Sequence, residues 1–135
     1  MPTPTSSDTP SLSNRRDHCR VDVATRAMVL ISDQVSLSGT TTDVSFRGAS
    51  ITLDAPPEVR LPSHCRLVLA LDENDTTAIE IHAKIERAMH NHVAVQFLAT
   101  DIKGYNHLRN LLLLGTRTPQ QLLRELASRP GVAVA

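Results

Sequence analysis

The stretch Thr42-Asp43-Val44-Ser45-Phe46-Arg47-Gly48 decides the fold prediction for this chain of 135 residues. It places an acid, a hydroxyl and a glycine in the spacing Asp-x-Ser-x-x-Gly. A carboxylate can accept the N1–H and amino protons of guanine, and a hydroxyl can donate to a phosphate or a base edge. Glycine permits positive φ or a close approach of a ligand to the backbone. Asp, Ser and Gly are also common in turns, so the stretch alone is equally compatible with a plain turn between strands.

An arginine cluster lies upstream, in the segment Asn14-Arg15-Arg16-Asp17-His18-Cys19-Arg20. In an extended or loosely turned segment, Arg15, Arg16 and Arg20 can converge on one small anion. Guanidinium forks pair bidentately with phosphate and with the O6/N7 edge of guanine. Alone, the spacing Arg-x-x-x-Arg is also typical of a solvated basic boundary before a strand.

Together, the two motifs resemble the PilZ family, the bacterial receptors for the second messenger cyclic di-GMP. The resemblance covers about residues 14–100, and it implies cyclic di-GMP as a ligand, with no cofactor. It implies that Arg16 and Arg20 grip phosphates and guanine edges, and that Arg15 can stack on a guanine.

The same resemblance gives the downstream residues their roles. Asp43 and Ser45 would recognise guanine, and Gly48 would leave room for it. The family often has glycine where Ala94 stands, on a strand that resembles its closing strand.

The pattern after Val21 predicts a small β-domain. Strands are expected over residues 21–31, 34–42, 48–53, 65–71, 79–86 and 93–97. The clearest alternation runs through Ile79, Ile81, Ala83 and Ile85, with polar residues between them. Short strands separated by turns indicate an antiparallel barrel or sandwich. The family resemblance selects a mainly β fold, a small antiparallel six-stranded β-barrel followed by C-terminal α-helices.

Three regions are expected along the chain. Residues 1–13 are rich in Pro, Thr and Ser and predict a disordered tail, residues 14–100 form the barrel, and residues 101–129 form helices packing on it. Thr100 or Asp101 can cap the first helix, which should end near Gly115. Thr118-Pro119 is a typical start for the second helix.

The run Leu111–Leu114 covers every side of the first predicted helix. Two interpretations stay open at this stage. The helix is wedged between the barrel and the second helix, or part of the run forms a surface for a homodimer or another protein.

Composition argues against several other functions. The net charge is zero and aromatic residues are only 2% of the chain, which disfavours a nucleic-acid-binding domain. No secretory signal or membrane span is apparent, so we expect a cytoplasmic protein without membrane insertion. The pairs His18-Cys19 and His64-Cys65 lack the spacing of metal sites, and no nucleophile–base pair appears, so neither a metal site nor catalysis is expected.

The sequence therefore predicts a receptor for cyclic di-GMP that changes conformation on binding and signals to a protein partner. Its moving part would be the arginine segment, which has little reason to pack on the barrel until a ligand bridges both motifs. The alternative is a PilZ-like adaptor that does not bind nucleotide and works by protein contact, as in type IV pilus assembly or motility.

Overall fold

The computed structural model of the protein describes residues 20–71, 77–128 and 131–134. Within these ranges the chain forms seven strands and two helices. The strands are β1 (Arg26–Leu30), β2 (Ser36–Val44), β3 (Gly48–Leu53), β4 (His64–Ala70), β5 (Ala78–Met89), β6 (His92–Thr100) and β7 (Ala133–Val134). The helices are α1 (Ile102–Gly115) and α2 (Pro119–Ser128).

Six antiparallel strands close into a barrel. The sheet runs in the order β3-β2-β1-β4-β5-β6, and an additional pairing of β3 with β6 joins its two ends. Because the two end strands, β3 and β6, pair with each other, neither is left as an open edge. Small all-β domains avoid unpaired backbone N–H and C=O groups in this way. The predicted six-stranded barrel with C-terminal helices is confirmed. The short β7, which was not predicted, pairs in parallel with the end of β6.

The barrel interior is filled by aliphatic side chains at alternate strand positions. On β5, Ile79, Ile81 and Ala83 are buried while the residues between them are exposed. This is the alternation that the sequence shows most clearly, and it follows from the two-residue period of a strand. Phe46 and Phe97 add the two aromatic rings of the core.

The first strand is shorter than predicted. It begins at Arg26, and Val21 instead makes an isolated bridge to Val44 at the end of β2. In the segment between Val21 and Arg26, the buried hydroxyl of Thr41 on β2 bonds to the backbone. It accepts a hydrogen bond from the Thr25 amide at 3.0 Å and donates one to the Val23 carbonyl. A side chain therefore satisfies backbone groups that a strand ladder would otherwise pair.

The second strand has the predicted length but is shifted by two residues, from residues 34–42 to Ser36–Val44. It continues through Asp43 to Val44, so the acid of the motif lies on a strand and the turn begins after it.

Helix α1 closes one side of the barrel. The Asp101 side chain caps it by accepting a hydrogen bond from the Gly104 amide at 2.6 Å, which satisfies one of the free amides of the first turn. Leu108 and Leu112 are buried against the core, and a Cβ added at Gly115 would touch the Val21 side chain. The end of the helix thus packs against the segment that leads into the barrel.

The leucine run divides between core and surface. Leu112 is fully buried, while Leu114 is 88% exposed. Leu122 of α2 is also buried. The interpretation that the helix is wedged against the barrel applies to Leu112. None of the described residues covers Leu114.

Residues 1–19 lie outside the described residues. The predicted tail over residues 1–13 and the candidate ligand residues Arg15 and Arg16 belong to that part. Within the described ranges, no helix is long and apolar enough to cross a membrane.

Candidate functional site at the β2–β3 turn

The turn between β2 and β3 is built around the Ser45 side chain. Its hydroxyl oxygen accepts hydrogen bonds from the amides of Arg47 and Gly48, each at 3.1 Å. The Ser45 amide donates to the Gly48 carbonyl at 2.8 Å. A short side chain that bonds to amides two and three residues ahead stabilises a turn directly. Ser45 is only 3% exposed, so its hydroxyl is engaged in shaping the turn.

Phe46, at the tip of the same turn, is fully buried. Its ring stacks on Tyr105 of α1, with centroids 5.9 Å apart and planes inclined by 29°, an arrangement that aromatic pairs favour. Its carbonyl accepts a hydrogen bond from the Val132 amide at 2.8 Å. The turn is therefore attached to the first helix and to the C-terminal segment by contacts within the chain.

Gly48 begins β3 where that strand passes closest to β6. A Cβ added here would collide with the carbonyl oxygen of Val95, and the neighbouring Arg47 carbonyl accepts a hydrogen bond from the Phe97 amide at 2.6 Å. In the described residues the glycine with positive φ is Gly131. Positive φ is thus not the reason for glycine at position 48. The reason is the backbone of β6, which fills the space that the sequence argument reserved for a ligand.

Arg20 and Asp43 meet beside this turn. The Val21–Val44 bridge has backbone hydrogen bonds of 2.8 Å and 2.9 Å, and it holds the incoming segment along the end of β2. The Arg20 guanidinium Nη1 then lies 2.6 Å from Asp43 Oδ1. The two side chains are 30% and 25% exposed, so both groups remain accessible from solvent. The prediction that the arginines have no packing partner on the barrel is therefore wrong for Arg20.

A β-bulge turns Asp43 towards the solvent. The register of β2 with β3 shifts between Thr41 and Asp43, so that Thr42 is the extra residue. Without this insertion, the alternation from the buried Thr41 would send Asp43 into the core. Bulges commonly re-aim side chains in this way next to binding sites. Asp43 consequently lies outside the barrel, opposite Ser50 on β3.

An open groove lies on the outer face of the barrel, lined by Thr42, next to Asp43 in sequence, and by Ser50, opposite Asp43 on β3. Its volume is about 410 Å³, in the range of small-molecule sites. The residues that line it include Thr42, Ser50, Arg87, Met89, His92 and Ala94. Ser50 and Ala94 face each other across β3 and β6, and together they form its floor. Position 94, where the family often has glycine, is therefore directly beneath the groove.

The structure brings together four of the six sequence-predicted site residues. Arg20 and Asp43 form an ion pair at the surface, and Ser45 and Gly48 shape the turn beside them. The other two lie among residues 1–19. Sequence reasoning missed Ser50, although its signal was present, since it is a polar residue between two apolar ones on a predicted strand.

The cysteines and histidines form no metal site in the described part of the chain. No group of three or more potential ligands occurs there. Cys65 is a free and buried thiol, and its burial raises its pKa to about 11. A protonated, buried thiol is a poor metal ligand and a poor nucleophile. Cys19 lies outside the described residues.

A sequence model of the PilZ domain matches residues 14–114. The chain therefore belongs to the PilZ domain family, whose members are regulatory receptor and adaptor domains for cyclic di-GMP, not enzymes. No match is found among curated proteins.

Solved structures show the same fold at low sequence identity. The PilZ domain of Escherichia coli YcgR, solved with c-di-GMP, has a TM-score of 0.61 and 13% identity, over 85% of this chain and 98% of that one. The PilZ domain of CeSA from a cellulose-synthesizing bacterium has a TM-score of 0.55 and 17% identity, over 70% of this chain and 95% of that one. The Bacillus subtilis inhibitor of motility MotI/DgrA has a TM-score of 0.56 and 16% identity, over 85% of this chain and 52% of that one. At such identities the likeness concerns the fold alone.

Replacement of Ser45 by alanine should destabilise the domain. It would leave the amides of Arg47 and Gly48 without their shared acceptor in a buried turn, at a cost of about 1–3 kcal/mol in the free energy of unfolding. Ser50→Ala is the matched control, because that hydroxyl lies on the outer face. Urea unfolding monitored by circular dichroism compares the two variants. Equal stability of Ser45→Ala and wild type would show that the hydroxyl does not hold the turn.

Gly48→Val should destabilise the barrel by about 1–3 kcal/mol or more, because the added side chain would push β3 away from Val95 at the closing seam. Ser36→Val adds the same side chain at an exposed position of β2 and should have little effect. Thermal unfolding of both variants tests this. A wild-type melting temperature for Gly48→Val would mean that the seam tolerates a side chain at this position.

Proposed function

We propose that this protein binds cyclic di-GMP on the outer face of the barrel, beside the β2–β3 turn, and signals the bound state to a protein partner. The observation that carries the proposal is the Arg20–Asp43 pair. These residues are 23 positions apart in sequence, and the fold brings Arg20 Nη1 to 2.6 Å from Asp43 Oδ1. Asp43 lies opposite Ser50, which lines an open groove on the outer face.

The two side chains supply complementary chemistry for a guanine nucleotide. The guanidinium of Arg20 has five N–H donors, and its contact with Asp43 uses one atom of each group. Donors remain for a phosphate or for the O6/N7 edge of guanine. The second carboxylate oxygen of Asp43 remains to accept from the N1–H and amino group of guanine. Each group thus fixes the orientation of the other while both keep capacity for a ligand.

Family membership supports the choice of ligand, because PilZ domains are receptors for cyclic di-GMP. Arg15 and Arg16 complete the motif in sequence. In the proposal, Arg15 and Arg16 bind the side of the ligand that faces away from the barrel. Asp43 and the groove floor contact the side that faces the barrel. Ser45 and Gly48 act on the ligand through the turn that they shape, since one is buried and the other lies against β6.

An adaptor that binds no nucleotide is the second candidate function. Two observations favour it. Arg20 and Asp43 already pair with each other, and Phe46 holds the turn by stacking on Tyr105. The motif residues could therefore serve the fold alone. A binding titration separates the two candidates, because only the receptor requires affinity for cyclic di-GMP.

Arg16→Ala and Arg20→Ala should each weaken binding of cyclic di-GMP by about 2–4 kcal/mol, because charge-assisted hydrogen bonds to the ligand are lost. Arg60→Ala is the control, since it removes the same charge from an exposed loop between β3 and β4. Isothermal titration calorimetry on the full chain measures all three. Arg20→Ala should change stability by no more than about 1 kcal/mol, as expected for a partly exposed ion pair. Near-native affinity in both motif variants would contradict the arginine assignment.

Asp43→Ala should reduce the preference for guanine. Its carboxylate is proposed to accept from donors that adenine lacks at those positions, so cyclic di-AMP should lose much less affinity than cyclic di-GMP. The ratio of the two dissociation constants, measured by calorimetry, tests the role. If the ratio equals that of wild type, Asp43 does not select the base.

Ligand binding should also protect the arginine segment from trypsin. Cleavage after Arg15 and Arg16 should be fast in the free protein and slow with cyclic di-GMP, because the ligand would pin the segment across the barrel at a cost in chain entropy. Cleavage after Lys84, inside β5, should be slow in both states and serves as the internal control. Mass spectrometry identifies the products. Equal rates after Arg15 and Arg16 with saturating ligand would exclude this segment as the moving part.

A further inference from the structure

A row of four residues crosses the outer face of the barrel, and the last three of them line the groove. Asp43 on β2 is opposite Ser50 on β3, Ser50 is opposite Ala94 on β6, and Ala94 is opposite Arg87 on β5. Neighbouring strands are about 4.8 Å apart, so the row spans roughly 14 Å from β2 to β5. It has an acid at one end, an arginine at the other, and two small side chains between them.

Arg87 reaches this row through a second bulge. The register of β5 with β6 shifts between Ile85 and Arg87, which makes Glu86 the extra residue. The alternation from Ile85, on the inner side, would otherwise send Arg87 into the barrel. Two bulges on two separate strands therefore turn Asp43 and Arg87 out to the same face of the barrel. Arg87 lines the groove there, and Asp43 lies opposite Ser50, which also lines it. A strand needs no such irregularity merely to expose a charge, because every second position is already outside.

The Arg87 guanidinium is available for a ligand. The side chain is exposed, and within residues 20–71, 77–128 and 131–134 no hydrogen bond or ion pair engages its guanidinium. Arg87 is the one Lys, Arg, Asp or Glu residue among the described residues that line the groove. The other cations on the outer face near this point include Lys84, which pairs with Gln96 in the neighbouring row and does not line the groove.

We propose that Arg87 is a further ligand-binding residue and holds the half of cyclic di-GMP that lies farthest from Arg20. This inference rests on the proposed function. The ligand has two identical halves, each with one phosphate and one guanine. Arg20 and Asp43 can engage one half at the β2 end of the row. The small side chains of Ser50 and Ala94 let the ligand lie close to the sheet, and Arg87 meets the second half at the β5 end.

The guanidinium suits either group of that second half. It can form two parallel hydrogen bonds with a phosphate or with the O6/N7 edge of guanine. Lysine supplies the charge without the planar fork. Arg87→Lys should therefore recover only part of the affinity that Arg87→Ala loses.

Calorimetric titration of the full chain with cyclic di-GMP tests the proposal. The dissociation constant of Arg87→Ala should rise by about tenfold or more, as expected for the loss of charge-assisted hydrogen bonds. Arg60→Ala, with the same charge change on a distant loop, should bind as wild type does. The melting temperature of Arg87→Ala without ligand should be close to that of wild type, because the substitution removes no hydrogen bond or ion pair within the described residues.

Two results would overturn the inference, and they differ in what they say about the function. If wild type and Arg87→Ala bind equally well while Arg20→Ala binds poorly, Arg87 is outside the site and the receptor function stands. If wild type itself shows no binding, the proposed function fails, and the role of Arg87 fails with it.

Discussion

The pairing of β3 with β6 is the constraint on which the rest of the structure depends. It converts an open sheet into a closed barrel, and it requires a glycine at position 48 because the Val95 carbonyl passes where a side chain would begin. The same pairing sets Ser50 beside Ala94 on the outer face. A single register of β3 with β6 fixes both the inner and the outer residues of these strands. The same pairing therefore closes the core and forms the groove floor.

The β2–β3 turn connects β3, which this pairing positions, to the candidate site. Ser45 folds the turn with its hydroxyl, and Phe46 attaches it to Tyr105 and to the C-terminal segment. These contacts are internal to the domain and partly buried, and none of them requires a nucleotide. The Arg20–Asp43 pair is different, because it is partly exposed and joins the fixed turn to the segment that enters the barrel. Surface pairs of this kind contribute little stability, which leaves them free to be rearranged by a ligand.

Much of this fold could be predicted from the sequence because strand periodicity is strong in an aliphatic barrel. The predicted β3 coincides with the observed strand, and the alternation on β5 places its apolar residues correctly. The bulge on β2 could not be placed in advance, because one inserted residue leaves the composition unchanged and reverses the facing of the residues after it. A signal did exist on β5, where Glu86 and Arg87 break the alternation with two consecutive charges.

The candidate site was predicted in its residues more than in its roles. The motif spacing selected Arg20 and Asp43 as candidates, and the family resemblance implied that Ser45 recognises guanine and that Gly48 leaves room for it. Their observed contacts are with the turn and with β6. Sequence spacing cannot distinguish a side chain that touches a ligand from one that shapes the loop beside it, because turn-forming and ligand-binding residues are drawn from the same small set.

The central claim is that the outer row from β2 to β5 is where cyclic di-GMP lies. A titration of the ¹⁵N-labelled full chain, followed by two-dimensional NMR, tests it most directly. The account predicts that the amides of Asp43, Ser50, Ala94 and Arg87 shift together and saturate at one concentration, while that of Val68, on the outer face of β4, does not move. Shifts centred on β4, or an unchanged spectrum at millimolar ligand, would contradict it.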